Sequence, residues 1–349
     1  MIELWFAILC LMIAFFAVLE GWDFGVGALH YIAARNPDER RILIAALGPL
    51  WSWHEVWLVA TGGVLFVAFP RVLATAFPAY YLALFLVLWT LVLRGISLEV
   101  RGHIPDTLWR SFWDFTLCVS NVTLAVLFGV ALGNVIRGMP LTPDTPLSLP
   151  LFTDFGVRGN VGILDWYTLS VALFTLVCLS AHGASYLTLK TEGEVYRRSR
   201  TLAHRLWPAT FLLLIGISLE TFYVRPQFLT GMLTRPLAWI GVAAVAVALL
   251  SIFTGLRSGA ERRVFLSGCL LIPGLLGTAA ASLFPVMLHS TLAPQYSITA
   301  WNGSSDPSNL RIAAWWWPVA FGLTIGYASF VSKLFRGRVQ ISADTQNPY

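Results

Sequence analysis

The chain is built from continuous apolar runs of about 20 residues, the length an α-helix needs to cross the hydrocarbon core of a bilayer. The runs do not alternate every second residue, as the strands of a membrane barrel do, so helices are the spanning element. Nine can be placed, at about 4–31, 43–69, 78–94, 113–136, 164–189, 206–224, 236–256, 264–284 and 314–335. Only 12% of residues are charged, against about a quarter in a soluble domain. The sequence therefore predicts an all-α integral membrane protein, one membrane domain over 1–349. Loop lengths group its helices into a first bundle over 1–137, a second over 164–284, an extra helix over 314–335 and a polar tail over 336–349. No cleavable signal peptide is expected, because the first run lacks a preceding basic region and is too long for a signal core.

Of the 23 Lys and Arg residues, 17 fall in alternate loops starting with the first, Arg94, Arg101 and Arg110 among them. The other 6 lie on the opposite side. The positive-inside rule then places the N-terminus outside and the C-terminus in the cytoplasm. The same distribution explains the pI of about 9.2 without a basic patch, so nucleic acid is not an expected partner. The four cysteines fall singly in different runs and show no CxxC spacing, which argues against a thiolate metal site or an Fe–S cluster.

Two stretches break the apolar pattern. Glu20-Gly21-Trp22-Asp23 lies in the first run, and Trp51-Ser52-Trp53-His54-Glu55-Val56-Trp57 lies in the second. Glu20 and Asp23 share a helix face. Counting along the two helices from Arg35 and Arg41, all four ionisable groups reach a common depth of about 18–22 Å at 1.5 Å per residue. Charged groups at such depth are costly and commonly mark proton relays. Glu20, Asp23, His54 and Glu55 are thus proton-pathway candidates, with a polar network that fastens the two helices as the other reading. Trp51, Trp53 and Trp57 either wall a small-molecule tunnel or fill a core. Trp113 and Asp114, like Asp165 and Glu220, lie near helix ends and read as interfacial anchors. His54 and His182 are the only deep histidines, and neither has a second ligand at paired spacing, so no metal is expected in this chain.

Further residues carry a resemblance. Glu20-Gly21-Trp22-Asp23-Phe24-Gly25-Val26-Gly27 and Asp38-Glu39-Arg40-Arg41 resemble subunit II of the bacterial cytochrome bd-type quinol oxidases, as do Gly48-Pro49 with Trp51 and Glu55-Val56-Trp57-Leu58. So do Trp109-Arg110 with Trp113-Asp114, Gly133-Asn134 with Gly138 and Pro140, Gly183-Ala184 with Tyr186-Leu187, and Gly193-Glu194. Phe284-Pro285 and Ser297-Ile298-Thr299-Ala300-Trp301-Asn302 complete the series, which covers nearly the whole chain.

The resemblance implies a complex in the bacterial cytoplasmic membrane that oxidises quinol and reduces O2 to water with protons from the cytoplasm. It implies a haem-bearing subunit I holding haems b and d, and a small single-helix subunit. This chain would support assembly, contact membrane lipids, hold a structural quinone or lipid, and line proton or O2 routes. One departure stands out. The family's intramembrane aspartate after the first tryptophan of helix two is Ser52 here, and its glycine and asparagine are Trp53 and His54. The proton route then moves to Glu55 and His54 or is carried elsewhere, and Trp53 adds bulk beside the tryptophan that Trp57 matches near the oxygen tunnel. A different class, a proton-coupled transporter using Glu20, Asp23, His54 and Glu55, draws on Gly48-Pro49 and Pro273-Gly274 as paired helix breaks.

Overall fold

The computed structural model describes residues 1–142, 148–335 and 337–339. Most of the tail expected over 336–349 lies outside the described residues. Fourteen helices follow one another: α1 (Ile2–Ala28), α2 (His30–Ala33), α3 (Pro37–Leu47), α4 (Trp51–Ala68), α5 (Pro70–Ala79), α6 (Tyr81–Val100) and α7 (Thr107–Arg137), then α8 (Trp166–Lys190), α9 (Gly193–Val224), α10 (Pro226–Thr234), α11 (Pro236–Ser258), α12 (Glu261–Leu283), α13 (Ala300–Gly303) and α14 (Pro307–Leu334). Among the described residues the only strands are β1 (Val286–Leu288) and β2 (Ile298–Thr299), a short antiparallel pair.

Local chemistry sets these boundaries. Asn36 caps α3 by accepting the Glu39 amide, Asp106 caps α7 through the Trp109 amide, and Asp165 closes a capping box with Thr168 on α8. Proline opens α3, α5, α10, α11 and α14 at the first turn, where its missing N–H costs nothing. Gly48 ends α3 at φ +53°, a conformation that disfavours a side chain. A 3-10 turn over Gly48–Leu50 follows, and α4 leaves at 49° to α3. The second apolar run is therefore a broken span. No matching break occurs in the other half, since α12 runs unbroken through Pro273. The paired breaks cited for a transporter are not present.

Among the described residues, seven helices (α1, α6, α7, α8, α9, α11 and α12) are long and apolar enough to cross a membrane, or eight if the bent pair α3 and α4 counts as one span. The ninth run, α14, has 28 residues and packs on α4. At the centre lies α1, packed against α4, α7, α8 and α12, while α6 packs on α7, α9 on α8, and α11 on α12.

Helix α6 continues to Val100 rather than stopping near 94. Arg94 is accordingly not a loop residue of the basic side but a fully buried group inside a span. The basic asymmetry survives without it, because the alternate loops still hold 16 of the remaining 22 Lys and Arg residues (17 less Arg94, against the same 6).

Candidate functional site

Three helices bring the deep charges together. Glu20 and Asp23 sit three residues apart on α1 and are fully buried. His54, also fully buried, faces them from α4, and its Nδ1 lies 2.7 Å from Asp23 Oδ2. From α6 comes Arg94, whose Nη1 lies 2.7 Å from Glu55 Oε1 and 3.0 Å from Glu20 Oε2, while its Nη2 lies 3.3 Å from Asp23 Oδ2. The guanidinium also stands 5.1 Å over the Phe24 ring, a cation–π contact. The four residues singled out from sequence do meet, and they meet around an arginine that sequence reasoning assigned to a loop. Sequence carries little signal for it: Arg94 is followed by Ser97, Glu99 and Arg101, so the apolar run looks finished at that point.

Backbone contact makes this convergence possible. A Cβ on Gly183 of α8 would stand 2.5 Å from the carbonyl carbon of Gly25 and the amide of Val26. Small residues on both helices let α1 and α8 cross at backbone distance. Gly95, next to Arg94, leaves room for Trp51, whose ring would meet a Cβ there at 3.3 Å.

The charges do not balance. Three carboxylates face one guanidinium and one imidazole, so one negative charge is in excess even when His54 is protonated. Uncompensated charge in a desolvated site is costly, and binding a proton relieves it. Glu20 Oε1, Asp23 Oδ1 and His54 Nε2 find no hydrogen-bond partner among the described residues. Glu55 is the member of the cluster that reaches the surface, with its side chain 25% exposed. Ser52, one turn earlier on α4, is exposed.

Glu20, Asp23 and His54 offer ligand-type atoms within 4.8 Å of one another, a spacing a metal ion could use. Arg94 already supplies the positive charge there, which disfavours a second cation. The donor set does not fit a haem iron either. His54 uses Nδ1 on Asp23 and is wedged edge-on against Trp22 and Trp53 at ring-centroid distances of 5.1 and 4.4 Å. His182 has Gly268 of α12 closely packed at its Nδ1.

Of the aromatic candidates, Trp53 and Trp57 are buried, while Trp51 and Trp113 are half-buried. Trp57 is buried, stacks on Phe15 at 4.8 Å and meets Phe321 of α14 edge-on at 5.6 Å. Trp53 is buried against His54. Trp113 is half-buried beside Trp109 and Phe112.

Asp114 is not the surface anchor that its place near a helix end suggested. It is buried and takes Arg101 Nε at 2.5 Å, His30 Nε2 at 2.9 Å and Arg40 Nη1 at 3.3 Å. It forms a second polar hub, below α1. Asp165 is likewise buried and pairs with Arg137, which donates to Asn134 Oδ1 at 2.6 Å. In the segment after α12, burial pushes the His289 imidazole down to about 4, and the charge of Arg225 adds to this.

Comparison with known proteins identifies the family. The family described as cytochrome bd terminal oxidase subunit II matches residues 1–335. The chain belongs to that family. It is 30% identical to the cytochrome bd ubiquinol oxidase subunit 2 of Bacillus subtilis (97% of this chain, 96% of that one). It is 28% identical to the cytochrome bd-I ubiquinol oxidase subunit 2 of Escherichia coli (96% and 94%). Its fold matches a chain in the structure of bd oxidase from Geobacillus thermodenitrificans with a TM-score of 0.69 at 16% identity, over 96% of this chain and 98% of that one. As a subunit II of the bd family, the chain is part of a terminal oxidase, an oxidoreductase complex, with a subunit I partner. Its apolar helices and family membership make it a multi-pass protein of the bacterial inner membrane.

Proposed function

We propose that the complex containing this chain oxidises quinol and reduces O2 to water, with haems b and d in subunit I, and that the Glu20/Asp23/His54/Glu55/Arg94 cluster handles protons on their way to that chemistry. The observation that carries this reading is the charge imbalance: a buried group of three carboxylates against one guanidinium, open to the chain's surface only at Glu55. A network that merely fastened helices would do best with matched charges. Arg94 offsets only part of the negative charge here and holds the three acids in place, so a proton can be bound and released without dismantling the site.

In this reading His54 and Asp23 form the exchanging pair, Glu20 holds Arg94 from behind, and Glu55 passes protons to the face where subunit I docks. The positive-inside pattern supports an outside N-terminus and a cytoplasmic C-terminus, and in the proposed reaction the protons come from the cytoplasm, as the family resemblance implies. The packing of α4 and α7 on α1 and of α6 on α7, with α9 on α8 and α11 on α12, supports two four-helix groups with α14 beside them. A small single-helix subunit, membrane lipids and a bound quinone or lipid complete the proposed assembly. Any O2 route in this chain runs past Trp53 and Trp57.

The test is Glu55→Gln in the intact complex. Proton-transfer groups contribute on the order of 100-fold or more to rate, so O2 consumption and proton uptake should fall steeply while haem content holds. Unchanged turnover would remove Glu55 from the route.

A further inference from the structure

The cluster leaves one deep ionisable group unused. His182 on α8 is fully buried, and its ring lies parallel to Phe265 of α12 at 5.1 Å. Trp22 of α1 stands 5.9 Å away, and the same indole meets His54 at 5.1 Å. The Val18 carbonyl lies beside the imidazole, but neither ring nitrogen makes a well-formed hydrogen bond within the protein, and neither does Trp22 Nε1. Gly268 admits the ring, since a Cβ there would stand 2.7 Å from its Nδ1, and Gly21 lies on its other flank.

A core histidine of this kind could be simple filling. What argues otherwise is the polar line that continues from it along α8. Ser185 and Thr188 follow at successive turns, both buried. Both line a small cleft, open to solvent, between α8, α9, α11 and α12, whose rim carries Arg200, His204 and Glu261. Arg200 and His204 are exposed. Measured from Lys190 at 1.5 Å per residue, Thr188, Ser185 and His182 lie at depths of about 3, 8 and 12 Å. The Asp23–His54 pair, at about 18–20 Å by the same rise, is the next step inward. Trp207 divides the cleft from His182. Its Nε1 donates to Ser185 Oγ at 2.9 Å, and its ring edge lies against Gly268 beside the imidazole.

We propose that this line is the proton path from the basic-rich face of the protein to the Asp23–His54 pair. The proposal rests on the proton-handling role of the cluster. Water occupies the cleft as far as Ser185. His182 takes a proton from it on one ring nitrogen and releases the proton of the other. A bridging water delivers a proton to His54 Nε2, and His54 Nδ1 passes its own proton to Asp23. Each step moves one proton in and one out, so both imidazoles end neutral and only Asp23 gains. Trp22 is the partition the water passes, and Trp207, through its bond to Ser185, sets where the cleft ends.

The experiment uses the intact complex in sealed vesicles. With His182→Phe, which keeps the stack on Phe265, quinol-driven O2 consumption and proton uptake should fall about tenfold or more with haem content unchanged. Glu55→Gln is measured alongside. If Glu55→Gln slows turnover and His182→Phe does not, protons reach the cluster elsewhere and the path is overturned while the cluster's role stands. If neither slows turnover, both fall. A second variant avoids any folding defect. Ser185→Cys is assembled first and then treated from the basic-rich face with a membrane-impermeant cationic thiol reagent, with wild type treated in parallel. The expected result is labelling of Cys at that position together with loss of turnover. Failure to label from that face, or labelling without loss, overturns the path.

Discussion

Arg94 Nη1 lies 2.7 Å from Glu55 Oε1, and the same guanidinium reaches Asp23 through Nη2 at 3.3 Å. One side chain thus ties α6 to α4 and α1 at membrane depth. The tie gives Arg94 a double part, fixing the geometry of the acids and setting how much negative charge is left over.

The first prediction concerns that arginine. Arg94→Gln leaves three buried carboxylates without their counter-charge, and breaking a buried pair by removing one partner costs about 3–5 kcal/mol. Little assembled complex should be recovered from membranes. Arg94→Lys keeps the charge but not the fork that reaches several acids at once, so it should assemble with reduced turnover. Equal yields and equal rates for wild type and both variants would show that the cluster does not depend on Arg94.

The acids of this site were legible in the sequence because carboxylates inside apolar runs stand out against lipid. The arginine was not, because a basic residue near the end of a run looks like the start of a loop, and only the helix end at Val100 settles the matter. Asp114 misled for a related reason. Nearness to a helix end suggests access to water, whereas Arg101, His30 and Arg40 converge on it from three other segments. The broken second span is half-visible: Gly48-Pro49 marks a helix break, but its 49° consequence depends on tertiary packing. The all-helical class needed only composition and run length, because the bilayer leaves so few alternatives.

A second prediction tests the α1–α8 crossing. Gly183→Val drives a branched side chain into the backbone of Gly25 and Val26, which cannot move aside as a side chain could. Overpacking costs about 1–3 kcal/mol even where neighbours yield, so the melting temperature of the solubilised complex should drop or assembly should fail. Gly216→Ala on α9 is the contrast, since a Cβ there meets nothing within 4 Å. It should be neutral or slightly stabilising. Equal melting temperatures for the two variants would contradict backbone contact at the crossing.

A third prediction follows from His289. Its amide carbonyl accepts the Met139 amide at 2.9 Å, and its ring packs against Gly138. Burial lowers its folded value from 6.5 to about 4. Between those values the unfolded chain binds a proton that the folded one does not, so stability rises with pH there. The penalty is absent above 6.5, grows as pH falls, and is complete below about 4. Melting temperature should therefore fall more steeply for wild type than for His289→Gln across that window. Parallel curves would mean that His289 does not contribute.

The last prediction concerns haem. An iron needs an imidazole nitrogen aimed at space for a porphyrin, and the deep histidines offer none: His54 is tied to Asp23 at 2.7 Å and His182 is packed against Gly268. The visible spectrum of the purified complex should therefore show haem at the same stoichiometry in wild type, His54→Leu and His182→Phe, even where turnover is lost. The chain purified without subunit I should show no haem absorption. Loss of one haem in either variant, or stoichiometric haem on the isolated chain, would move a ligand into this subunit and require the division of labour between the two subunits to be redrawn.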